Sequence, residues 1–190
     1  NIDSYEKILN KNLFNNKISF NTFPTLEAQV AAISDDIAYN NHDLEDGFRA
    51  GLFTIKEFSS IPQISKLINR HLKNIKNFRR EIIISQIVRD LINLMVVDVI
   101  HTTNKNLNKS NPQSINDIYK HDRLIVDFSD KMKKIDKQIK YFLKQNMYNH
   151  EKVIVNTNRG KIIIKDLFKY LLKNSRKHIN RELFKNEQKE

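Results

Sequence analysis

Three features of the sequence predict an all-α fold: only three Gly and three Pro in 190 residues, an abundance of Ile, Leu, Lys and Glu, and apolar residues that recur at helical rather than alternating spacing. After the turn-like run Asn21-Thr22-Phe23-Pro24, a helix starts near Thr25, with Glu27 favouring its positive end. Leu26, Val30, Ile33 and Ile37 form its apolar stripe, and Asn40-Asn41 mark its expected end. A short segment from Leu44 to Phe53 follows. Ile61, Ile64, Leu67, Ile68, Leu72 and Ile75 then trace a second amphipathic helix, with a break at Asn77. From Phe78 to about Ile100 apolar residues occupy most of the helical circumference, the pattern of a helix enclosed by others and the best core candidate.

Residues 101–117 contain Asn104, Asn106, Asn108, Ser110, Asn111 and Pro112, and read as a polar loop. Helical periodicity resumes between Met132 and Met147. Lys161-Ile162-Ile163-Ile164 has strand-like β-branching, but the spacing of Asp166, Leu167, Phe168, Tyr170 and Leu171 favours a helix there. The chain reads as a single helical domain fragment over 1–190: a candidate site segment at 24–53, a helical core at 61–174 and a polar tail at 175–190. It begins at Asn1 with no basic-then-apolar leader, so the start reads as a cut.

Composition excludes several classes of function. Without cysteine there is no disulfide scaffold, thiolate zinc site or Cys nucleophile. The longest apolar stretch, Leu91 to Ile100, is interrupted by Asn93 and Asp98, and falls far short of the roughly 20 apolar residues of a bilayer span. No membrane association is expected, and the expected compartment is the cytoplasm. The formal charge of +11 is less telling than it looks, because Lys, Asn and Ile make up 74 of 190 residues, a composition typical of AT-rich coding. Its distribution says more: residues 1–60 carry a net −4 and residues 61–190 a net +15. Lys131, Lys133, Lys134, Lys137, Lys140 and Lys144 recur around one helix near Tyr141 and Phe142, a pattern that attracts polyphosphate or nucleic acid or is simply a solvated helix. Arg49, Arg79 and Arg80 are better individual phosphate candidates, since a guanidinium binds two oxygens at once. There is no Gly-rich phosphate loop.

Asp35, Tyr39 and Asp43 stand at i, i+4 and i+8, which aligns a carboxylate, a phenol and a second carboxylate on one helical face. Ile33 lies roughly 200° around the helix from Asp35, so the polar and apolar stripes oppose each other. Carboxylate oxygens suit hard divalent cations, and a nearby phenol can donate to a phosphate oxygen. The same pattern also describes a solvated acidic helix end.

The run Ser34-Asp35-Asp36-Ile37-Ala38-Tyr39-Asn40-Asn41-His42-Asp43-Leu44-Glu45-Asp46-Gly47, within residues 25–52, closely resembles a segment of the bacterial deoxyguanosine triphosphate triphosphohydrolase-like proteins of the HD superfamily. Met147-Tyr148-Asn149-His150-Glu151-Lys152-Val153 and Lys165-Asp166-Leu167-Phe168 look like later landmarks of that family in the same order. The resemblance implies the helical HD-type fold, in its C-terminal part, and metal-dependent hydrolysis of a dNTP such as dGTP to deoxynucleoside and inorganic triphosphate. It makes Asp35 the distant Asp of a metal site built from a His, a His-Asp pair and an Asp, with Mg or Mn the expected ion. Tyr39 would contact phosphate and sugar, and Asp43 the deoxyribose 3′-hydroxyl. The upstream His and His-Asp ligands are absent from this sequence, so this chain is expected to be inactive alone. Its expected partners are a complementing N-terminal segment or further copies of itself. The alternative is a non-catalytic basic helical module that binds nucleic acid or a protein. His42-Asp43 and His121-Asp122 spell the HD dipeptide, but neither has further ligands in its neighbourhood. His71, His101 and His178 read as surface or capping residues without carboxylate company, and the role of His150 does not follow from its neighbours.

Overall fold

The computed structural model describes residues 22–72 and 79–174, which are helical throughout with short connections and contain no strand. The elements are α1 (Leu26–Arg49), α2 (Ile55–Phe58), α3 (Pro62–Leu72), α4 (Arg80–Ser110), α5 (Ile115–Tyr119), α6 (Asp130–Leu143), a π-helical turn (Lys144–Tyr148) and α7 (Glu151–Lys173). The expected break at Asn77, the tail 175–190 and His178 lie outside the described residues. The chain divides into two compact units, the first ending at Leu143 and the second beginning at Lys144, so the division falls inside the stretch 61–174 that the sequence groups as one core.

In the first unit, α1 packs on α4 and α6, and α3 packs on α4. Thr25 caps α1 by accepting a bond from the Ala28 N–H, as the sequence predicts. The helix does not stop at Asn40-Asn41 but runs to Arg49. Ile37, Leu44 and Phe48 continue one apolar face at helical spacing, and the two asparagines lie on that buried face. Asn41 donates from Nδ2 to the Ile37 carbonyl (2.8 Å) and reaches the Met95 sulfur (3.4 Å), so its amide is used inside the core rather than to end a helix. The buried face is also rotated from the expected stripe. Ile37 is buried, Leu26 and Ile33 are half-buried, and Val30 is exposed.

Just past α1 the chain turns through Gly51, whose φ of 66° favours glycine. Phe53 then folds back over Gly47, where a Cβ would come within 2.3 Å of the Phe53 ring. Only a residue without a side chain lets that ring in. Phe48, Phe53, Phe58 and Phe142 meet edge to face, with ring centroids 4.9–5.6 Å apart, and tie α1, α2 and α6 together. Such pairs add about 0.5–1.5 kcal/mol each beyond the area they bury. Helix α2 has only four residues, but Thr54 and Glu57 close a reciprocal capping box at its start.

The expected core helix is α4, and it is longer and less enclosed than its composition implies. Ile83, Ile84, Ile87, Val88, Leu91 and Met95 are buried, whereas Ile82, Leu94, Val96 and Ile100 are exposed among the described residues. It also continues through Asn104, Asn106 and Asn108 to Ser110, so the expected loop 101–117 shrinks to the residues between Ser110 and Ile115. A tertiary side-chain bond explains why Asn106 is accommodated in this helix. Asn106 Nδ2 donates to the Ile125 carbonyl at 2.9 Å, and Ser110 Oγ bonds back to the Asn106 carbonyl. Asn111 ends the helix in the left-handed conformation that asparagine tolerates (φ 42°).

The segment after α5 is held by one buried and one half-buried polar side chain. Gln29 accepts the Ile125 and Val126 N–H groups on Oε1 (2.9 and 3.0 Å) and donates to the Pro24 carbonyl. Asp98 takes the Ser129 N–H and hydroxyl at 2.8 and 2.7 Å. In the second unit, α7 confirms the helical reading of Lys161–Ile164. None of its residues is buried among the described residues.

Candidate functional site

Along α1 the two faces divide by chemistry. The face toward α4 and α6 buries Gln29, Ile37, Asn40, Asn41, Leu44, Gly47 and Phe48. Asp35 and Tyr39 are exposed, Tyr39 at 59%, and Asp43 is half-buried. With about 1.5 Å of rise per residue, the three groups are strung over roughly 12 Å of helix axis in the order carboxylate, phenol, carboxylate. They share one helical face, as the spacing predicts.

The rotation of α1 is fixed from beside this stripe. Asp36 binds Lys140 Nζ at 2.5 Å, and the same ammonium binds Asp136 at 2.9 Å. Asn40 Nδ2 lies 3.5 Å from the other Asp136 oxygen. Burial holds the Asp136 carboxyl above the ordinary carboxylate value despite the attraction of Lys140. For Lys140, desolvation pulls downward, but its bonds to Asp136 and Asp36 outweigh that, and its pKa is raised. The outcomes differ because Asp136 is the deeper partner, with a side chain 11% exposed against 41% for Lys140. Further along α1, Glu45 accepts bonds from Arg49 (2.7 Å) and from the Ser85 hydroxyl of α4 (2.8 Å), which hold its carboxyl below the ordinary range.

Several expected ligands for phosphate or metal are otherwise engaged. Arg49 bonds Glu45 and Ser85, and Arg80 donates to the Phe48 carbonyl. Of the six lysines from Lys131 to Lys144, Lys133 pairs with Asp127 and Lys140 with Asp36 and Asp136, so part of that basic helix is spent on internal pairing. His71 has carboxylate company after all: its Nε2 lies 2.9 Å from Asp90 of α4, a contact made across two helices that chain proximity does not reveal. His121 touches its neighbour Asp122 and the Arg123 carbonyl. His150 caps α7, its Nδ1 accepting the Lys152 N–H.

No group of three or more His, Asp or Glu side chains suited to a metal ion occurs among the described residues. Asp35 offers one oxygen ligand, and the described residues do not by themselves fit a complete divalent-cation centre. The residues that sequence reasoning missed are the polar ones inside: Gln29, Asn40, Asn41 and Asp136. The only signal available for Asn40-Asn41 was their position between Ile37 and Leu44 at core spacing.

A phosphohydrolase-associated domain matches residues 126–190. The deoxyguanosinetriphosphate triphosphohydrolase-like protein of Pelagibacter ubique (strain HTCC1062) is 42% identical over 187 residues, 98% of this chain and 50% of that protein. The protein of the same name from Brucella ovis is 38% identical over 151 residues, 80% of this chain and 38% of its own, and that from Parvibaculum lavamentivorans is 36% identical over 150 residues, 79% and 38%. The chain thus spans half or less of the length of the curated relatives it matches. No described helix is long and apolar enough to cross a membrane. With a stretch at 25–52 that resembles them, an all-helical fold and a match over nearly its whole length, the chain is related to the deoxyguanosinetriphosphate triphosphohydrolase-like proteins.

Proposed function

We propose that this chain supplies one wall of a metal-dependent dNTP triphosphohydrolase site that releases deoxynucleoside and inorganic triphosphate, with dGTP the first substrate to try. The observation that carries this reading is the outward stripe Asp35, Tyr39, Asp43 on α1, in the very residues that resemble the family. Along the helix the stripe runs in the order a bound nucleotide needs: an oxygen donor for a divalent cation, a hydroxyl for a phosphate oxygen, and a carboxylate for a sugar hydroxyl. Asp35 is assigned as one metal ligand, Tyr39 as donor to phosphate, and Asp43 as acceptor from the 3′-hydroxyl.

One carboxylate does not hold such an ion against water, so the remaining donors come from other residues, on a complementing segment or a further copy of the chain. By itself the chain is inactive on this reading. Nucleotide hydrolysis of this kind belongs in the cytoplasm, where dNTPs are made and used.

The test is release of triphosphate from a dNTP mixture with Mg²⁺ or Mn²⁺, by this chain alone and after addition of an upstream segment from a relative that carries the His and His-Asp ligands. Turnover that appears only in the reconstituted sample and is abolished by Asp35→Ala is the expected result. Turnover insensitive to Asp35→Ala and Tyr39→Phe would sink the assignment. No turnover in either sample, with salt-dependent binding to DNA that ignores changes at Asp35, Tyr39 and Asp43, would favour a non-catalytic basic module.

A further inference from the structure

On α4, the side that carries Asp90, Leu94, Val97 and His101 does not face α1. It opens instead into a groove of about 820 Å³ shared with α3 and α6, to which α1 contributes no residue. That volume is in the range of small-molecule sites.

Its lining combines two chemistries. Lys66 and Arg70 of α3, His101 of α4 and Lys131 of α6 bring basic side chains from three helices to one opening. Lys66, Arg70, His101 and Lys131 are all exposed, and none makes an ion pair among the described residues. Each of the two carboxylates in the lining has a partner, and Asp90 stays exposed while making its contact. Asp98 accepts the Ser129 N–H and hydroxyl, and Asp90 contacts His71. The same lining includes Leu94, Val97, Met132 and Ile135, of which Met132 and Ile135 are buried and Leu94 and Val97 stand exposed to solvent.

Basic side chains and an apolar floor lining one groove match a ligand with one strongly anionic end and one flat or apolar end. A bare inorganic anion would leave the floor wet, and an apolar ligand would leave the cations unused. Arg70 supplies the planar fork suited to phosphate oxygens, and Lys66 and Lys131 supply point charges beside it.

We propose that this groove is a binding site for a small phosphate ester with an apolar or aromatic organic part, the phosphate held by Lys66, Arg70 and Lys131 and the organic part resting on Leu94, Val97 and Met132. The site is independent of the Asp35 stripe and stands or falls separately from the proposed hydrolysis.

The experiment is calorimetric titration of the whole chain with dATP, inorganic triphosphate and ribose 5-phosphate, in EDTA so that no divalent cation contributes. Expected are saturable binding of dATP, binding of triphosphate at least about tenfold weaker because it lacks the floor contact, and binding of ribose 5-phosphate weaker than dATP for the same reason. The double variant Lys66→Ala/Arg70→Ala should lose at least about tenfold for dATP and triphosphate alike, while Val97→Ser should weaken dATP alone. Amide NMR shifts caused by dATP should map to α3, α4 and α6, which tests the location without any substitution. Absence of binding, an equal loss on the control change Lys161→Ala/Lys165→Ala, or shifts spread over the whole basic surface would overturn the proposal. Helical circular dichroism of each variant separates loss of the site from loss of the fold.

Discussion

The two faces of α1 use polar residues in opposite ways. On the buried face, Gln29, Asn40 and Asn41 are placed where each amide meets a partner, and their role is to fix register. On the outward face, Asp35 and Tyr39 stand exposed, and no hydrogen bond or ion pair to another described residue accounts for their being a carboxylate and a phenol at that spacing. A buried amide is explained by what it touches; an exposed stripe is explained only by what it would bind. Stability measurements should therefore separate the faces cleanly, and activity should separate them in the reverse order.

The largest stability effect is expected from Phe48→Ala, which empties the centre of the phenylalanine cluster. It should cost about 3–5 kcal/mol in denaturant unfolding, and a cost below about 1 kcal/mol would mean the cluster does not hold α1 to α2. Next comes Gln29→Ala, which leaves the Ile125 and Val126 N–H groups buried without an acceptor. About 2–3 kcal/mol is expected, together with faster hydrogen exchange at those two amides.

Lys140→Met should cost less, about 1–2 kcal/mol, because Lys140 is partly exposed and water can take over some of its pairing with Asp136 and Asp36. The pH dependence sharpens this prediction. The Asp136 carboxyl is raised in the fold, so the folded chain binds that proton more tightly than the unfolded chain, and stability falls as pH rises from about 3.8 through its folded value. Glu45 has the opposite sign. Its contribution is present above about 4.5 and is lost as pH falls through its lowered folded value. Lys140→Met should steepen the Asp136 slope and leave the Glu45 slope alone, and Glu45→Gln should remove only the second. Equal changes in both slopes would show that the two carboxylates are not separate devices.

The smallest stability effects belong to the outward stripe. Asp35→Ala and Tyr39→Phe should each change unfolding free energy by no more than about 0.5 kcal/mol, since both side chains are exposed. A cost of 2 kcal/mol or more at either position would assign the stripe to the fold and remove its claim to a ligand.

How far the sequence could be read differs from one element to another. Thr25 as a helix start, the helical character of 161–171 and the shared face of Asp35, Tyr39 and Asp43 were all legible, because each depends on residues within about eight positions of one another. The end of α1 was misplaced at Asn40-Asn41 and the end of α4 by about ten residues, for one shared reason. Asparagine favours chain reversals locally, but Met95 and the Ile125 carbonyl give Asn41 and Asn106 tertiary partners that local pattern does not contain. His71 was misread in the same way, since Asp90 lies nineteen residues away and reaches it only when α3 packs on α4. The groove was out of reach for the same reason, because its basic side chains come from three helices and no spacing rule connects them.

The sequence by itself determined the all-helical class, the family it resembles and the order of chemical groups along α1, since all three are written in short-range periodicity and wording. Tertiary structure decided which polar residues are interior and which lysines are neutralised by Asp36, Asp127 and Asp136. It also decided which face of α4 stays open. The physical reason is that burial and pairing are properties of groups brought together from distant parts of the chain, whereas a helical face is fixed by 3.6 residues per turn alone.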